Sequence, residues 1–178
     1  MENNIIPQEF LNEEGEPMGA CLMCGEKFRE DSVYTVTKVY KNYPRLDSCQ
    51  LLFEHAVCLD CVEKTKESLS EASKQALEEY QQANVTVTPE ALERWSECCL
   101  FSGIRLADEE EYAYYGIFGG GQIMEGTFPF AVGQTAMEEM YALLSASTKE
   151  FLDNFIDKHF SGPPEWKELM KDSPVVLF

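Results

Sequence analysis

The sequence predicts an α+β protein built from two similar units, each made of a turn, a β-hairpin and a helix. Three observations predict it. Two Cys-x-x-Cys pairs, at Cys21 and Cys24 and at Cys58 and Cys61, bracket a stretch rich in β-branched and aromatic residues. A helical spacing of apolar residues follows the second pair. The same order of signals then returns further along the chain, beginning at Cys99.

In chain order, residues 1–20 read as an acidic arm, loosely docked through Ile5, Ile6, Phe10 and Leu11. The first cysteine turn ends on Gly25, which allows the backbone a tight reversal. Residues 33–41 (VYTVTKVYK) read as a strand, 42–48 as a loop carrying Pro44 and Asp47, and 49–57 (CQLLFEHAV) as the return strand. A single helix is expected over 59–82. Its buried face would be Val62, Thr65, Leu69, Ala72, Ala76 and Tyr80, which fall at steps of three and four. Thr88 and Pro89 then start a short helix reaching about Glu97, with Leu92 and Trp95 turned inward.

Four cysteines in two such pairs suit one metal ion. Thiolates are soft ligands, and a two-residue spacer lets one turn aim both sulfurs at a single point. Cys21, Cys24, Cys58 and Cys61 are therefore the expected ligands of one structural Zn2+. With all four positions filled by protein, no place is left for a catalytic water. Cysteine turn, hairpin, then a cysteine pair at a helix start resembles a treble-clef zinc finger over residues 21–82. That resemblance implies a fold and a metal site, and no particular activity. The competing reading is a thiol–disulfide oxidoreductase, since a strand running into Cys58 and Cys61 at a helix start is also a redox arrangement. It leaves Cys21 and Cys24 without a role.

The second half repeats the first with the ligands lost. Cys99-Leu-Phe-Ser-Gly matches Cys21-Leu-Met-Cys-Gly, and 130–138 (FAVGQTAME) matches 55–63 (HAVCLDCVE). The register continues with Leu69 to Leu144, Ser70 to Ser145, Lys74 to Lys149 and Leu77 to Leu152. Ser102, Gly133 and Ala136 stand where ligands would be, so residues 99–160 are expected to form a metal-free copy held by apolar packing. Its hairpin would turn at Gly119-Gly120-Gly121, between strands over 111–118 and 122–132. The expected division is an arm (1–20), a zinc unit (21–84), a linker with a short helix (85–98), the copy (99–160), and a C-terminal short helix with an apolar tail (161–178). The two units are expected to pack as a pseudo-symmetric pair.

Charge narrows the function. With 32 acidic and 14 basic residues the chain carries −18. Residues 85–178, with sixteen acids and six bases, hold −10 of it. Such a surface repels nucleic-acid phosphate and anionic membrane, so neither is an expected partner. A basic protein is. No apolar run reaches the roughly 18 residues of a membrane span. No basic, apolar leader opens the chain. Seven cysteines, four of them in metal spacing, suit a reducing cytoplasm.

The remaining candidates read as structural. His55, three residues before Cys58, is an alternative ligand but is expected rather to be partly buried or beside the metal, and His159 to lie on the surface. Cys49 reads as a buried strand thiol. Cys98 and Cys99 should point opposite ways. The acidic run 108–111 reads as a solvated turn. Gly119–Gly121 lacks the helix and Lys-Ser/Thr of a phosphate loop. Together these favour a binding or adaptor protein over an enzyme.

Overall fold

In the computed structural model, which describes residues 5–85, 87–165 and 167, the central element is strand β1 (Val33–Tyr43). It pairs antiparallel with β2 (Ser48–Cys58) on one side and with β3 (Glu111–Gly119) on the other. β3 in turn carries β4 (Gln122–Ile123) and β5 (Phe130–Gly133) along its far edge. One antiparallel sheet thus joins both halves of the chain. The α-helices include α1 (Leu59–Glu67), α2 (Glu71–Asn84), α3 (Pro89–Glu93), α4 (Gln134–Ala142) and α5 (Ala146–His159).

Side chains on a strand alternate between faces, and β1 is buried on both. Val39 joins a cluster with Leu77, Ala113, Val132, Met140 and Leu152, which packs α2, α4 and α5 against the sheet. Tyr34 and Val36 join Ile6, Phe10, Ala56 and Phe118 on the opposite face. The N-terminal arm is therefore firmly docked, contrary to the loose arm expected. Phe10 is fully buried, with its ring 5.5 Å from Trp95 and 5.0 Å from Phe118. Burying one such side chain is worth about 2–3 kcal/mol. Lys38, also on this face, pairs with Glu54 at 2.8 Å and donates to the carbonyl of Leu11.

Several expectations are corrected. The helix over 59–82 is two helices, because Ser70 turns its hydroxyl onto the N–H of Ser73 and begins a new one. The buried face restarts with it. Ser73 and Leu77 are buried, while Ala72 is exposed. Residues 134–159 break in the same way, with Ser145 accepting from the N–H of Thr148. The strand over 122–132 is interrupted after Ile123, where Thr127 closes a turn onto the Met124 carbonyl. The helix after Thr88 stops at Glu93, and Leu92 is exposed; Trp95 supplies the packing. Cys49 is exposed, since β2 lies at the sheet edge. The turn at Gly119–Gly121 stands as expected, with positive φ at Gly120 and Gly121. The apolar tail, Val175–Phe178, and the short helix expected through Trp166, Leu169 and Met170 lie outside the described residues.

Where the two helix pairs meet, four hydroxyls form a closed network. The Ser70 and Ser145 hydroxyls are 2.8 Å apart. The N–H of Ser70 donates to Thr148 Oγ1 at 3.1 Å, and the N–H of Ser145 donates to Ser73 Oγ at 2.9 Å. Ser73 and Thr148 are fully buried. Each therefore satisfies a backbone donor that packing removes from water.

Candidate metal centre

The four cysteines expected as ligands converge. β1 and β2 pair Tyr34 with Cys58, so the end of β2 delivers Cys58 beside the turn that follows Ala20. That turn is closed by Gly25 N–H to the Cys21 carbonyl at 2.9 Å and is fixed to β2 by Leu22 N–H to the Ala56 carbonyl at 2.8 Å. Gly25 takes φ +72°, in the left-handed region that favours glycine. Cys58 is the N-cap of α1, and Cys61 sits in the helix's first turn. The four Sγ atoms lie within 4.8 Å of one another.

This donor set fits a metal ion. A tetrahedral zinc with bonds of about 2.3 Å places its sulfurs about 3.8 Å apart; Cys24 Sγ and Cys58 Sγ are 3.9 Å apart. The protonation pattern agrees. Burial pushes the Cys21 thiol up, but the N–H groups of Cys24, Cys58 and Met23 aimed at its sulfur bring it down to about 7. Burial raises Cys61 far above an ordinary thiol, with the neighbouring thiol of Cys58 and the charge on Cys21 adding to the rise. Burial raises Cys58 as well. A divalent ion would supply the positive charge that the raised thiols of Cys58 and Cys61 need to ionise. Cys21 and Cys61 are 2% and 4% exposed, whereas Cys24 is exposed. All seven cysteines are free.

His55 is not part of the cluster. It is buried between Phe53 and Phe160, with ring centroids 6.1 and 5.4 Å away. Burial lowers its pKa to about 4, so it is neutral at pH 7. His159, expected on the surface, is half-buried against Phe155 at 4.6 Å.

A turn with similar hydrogen bonds lies in the second half. Gly103 N–H donates to the Cys99 carbonyl at 3.0 Å, Leu100 N–H donates to the Ala131 carbonyl at 2.8 Å, and Gly103 takes φ +70°. Cys99 is buried there, in one cluster with Phe101, Ala131, Val132, Ala136 and Met137. The sequence reading missed Glu109. Instead of lying in a solvated acidic turn, it is 6% exposed, and its Oε2 accepts from the N–H and the hydroxyl of Thr135, at 3.2 and 3.0 Å. The reason is local. Gly133, the N-cap of α4, has no side chain to cap the helix, and the carboxylate does so from a neighbouring loop. Glycine at a strand-to-helix junction was the available signal.

Among the described residues no helix is long and apolar enough to cross a membrane. No family model matches the chain, and no curated protein or solved structure matches it at significant similarity.

Proposed function

We propose that this chain is a binding or adaptor protein in which Cys21, Cys24, Cys58 and Cys61 hold one structural zinc. The observation that carries the metal is the convergence of four sulfurs, two of them buried, with every ligand supplied by protein. The zinc's part is to cross-link the 21–25 turn to the start of α1. A redox role for Cys58 and Cys61 is the weaker reading. A reactive Cys-x-x-Cys needs a low-pKa, accessible leading thiol, and here burial raises Cys58.

The unit around the zinc has the treble-clef order of turn, hairpin and helix, and we read residues 99–160 as its metal-free copy. Several pairs of contacts support that reading. The bridge between Ala20 and Lys27 has a counterpart between Cys98 and Arg105. Tyr34 pairs with Cys58 as Tyr112 pairs with Gly133. Both helix pairs have nine and fourteen residues and restart at a serine cap. β1 and β3 pair about Thr37 and Tyr115, which are equivalent positions. The reciprocal bonds of Ser70 with Thr148 and Ser145 with Ser73 are what a two-fold contact requires.

The partner proposed is a basic protein, drawn by a net charge of −18 to which a zinc tetrathiolate adds about −2. The setting is the reducing cytoplasm that free thiols need. Capture of native complexes at low and high salt tests this. Binding that weakens steeply with salt supports it; equal binding at both, or tight binding to plain DNA or RNA, overturns it.

A further inference from the structure

Gly133 is not required by its backbone, since its φ is −82°. What requires glycine is Glu109. A Cβ built at position 133 would lie 2.4 Å from Glu109 Oε1, 2.7 Å from Cδ and 2.8 Å from Cγ. Under the duplication proposed above, on which this step rests, position 133 answers to the ligand Cys58. We infer that Glu109 is a carboxylate plug: its side chain takes the space that a ligand at position 133 would need, and it holds the start of α4 so that this half folds without a metal.

The carboxylate cannot swing aside freely. Oε2 is tied to Thr135 by two hydrogen bonds. Its backbone is pinned by Asn42 Nδ2, which donates to the Glu109 carbonyl at 2.7 Å, and by its own N–H to the Leu106 carbonyl at 3.1 Å. Oε1, buried beside Gly133, has no hydrogen-bond partner. The oxygen nearest position 133 is thus placed by the anchoring of the rest of the residue, and it fills space there. The charge argument points the same way. With the proposed zinc bound, α1 begins among thiolates, whereas α4 begins on one carboxylate, and both put negative charge at a helix N-terminus. In the first half the matching position is Asp31, one methylene shorter and exposed.

Zinc content of the full chain by native mass spectrometry tests the plug. Wild type is expected to hold one zinc. Adding S102C, G133C and A136C beside Cys99 supplies four thiols, yet with Glu109 in place the count should stay at one. Adding Glu109→Ala to those three should raise it to two. Two zincs with Glu109 retained would overturn the plug while leaving the duplication standing. One zinc in both variants would overturn the duplication, and this inference with it. A second measurement needs no new metal site. Gly133→Ala should lower the thermal midpoint by about 5 °C or more in wild type, but by less than about 2 °C when Glu109 is alanine. Equal losses in the two backgrounds would overturn the plug.

Discussion

The corner around Cys21 and Cys61 and the corner around Cys99 and Ala136 have the same turn hydrogen bonds and a left-handed glycine, and differ in what fills them. In the first, the local buried cluster is Cys21, Val57 and Cys61, so two of its three members are candidate metal ligands. In the second, Cys99 belongs to a large cluster reaching Met140 and Leu152, and a buried glutamate anchors the helix start. The difference teaches that this turn-and-helix corner needs a filled centre and negative charge at the helix N-terminus. In the proposed reading, zinc thiolates meet that need in one corner; apolar side chains and a carboxylate meet it in the other.

The largest effect expected from breaking the comparison is at the metal. Cys58→Ser should abolish tight zinc binding and cost more than about 3 kcal/mol, because metal binding in such sites is part of folding. A strong chelator should do the same to wild type. Hydrogen exchange should rise in residues 21–67 well before residues 99–160. Protection lost first in the second half would mean that the metal has been assigned to the wrong corner.

His55 comes next. Its proton binds more weakly in the folded chain, with a pKa near 4, than in the unfolded chain near 6.5. Above pH 6.5 no proton has to be lost on folding, and stability falls as pH drops from there toward 4. The loss approaches about 3 kcal/mol. His55→Phe, which keeps an aromatic ring there without a titrating nitrogen, should remove that part of the acid sensitivity. Denaturant titrations of both proteins between pH 7 and 4.5 check it; parallel pH curves would show that His55 is not held neutral.

Smaller effects test the symmetry. Ser73→Ala strands the N–H of Ser145, and Thr148→Ala strands that of Ser70. Each should cost about 1–2 kcal/mol, and the two costs should match. A cost confined to one would argue against the two-fold reading. The smallest effect is expected at Cys99→Ser, about 1 kcal/mol with zinc content unchanged. Damage equal to that of Cys58→Ser would make Cys99 something other than a packed thiol.

Much of the metal corner was legible in the sequence, because ligand spacing and strand composition are local signals. Cys21, Cys24, Cys58 and Cys61 meet, and the turn at Gly120 and Gly121 forms where expected. What the sequence concealed depends on distant partners. The arm looked loose because nothing local says that Phe10 meets Trp95 and Phe118. Ser70 fits a helix interior by spacing, and its capping role appears only with the break that Ser145 shares. Glu109 sits in a run of four acids, three of them left at or near the surface. Composition cannot tell which one turns inward, because that choice is made by Gly133 and Thr135.

The most direct test of the central claim is X-ray absorption at the zinc edge of the purified chain, joined to a metal count. The expected result is one zinc per chain with four sulfur ligands at about 2.3 Å and a spectrum unchanged in His55→Phe and Cys99→Ser. Nitrogen or oxygen in the first coordination sphere, or two metals per chain, would contradict the account. So would a metal-free protein carrying a disulfide between Cys58 and Cys61.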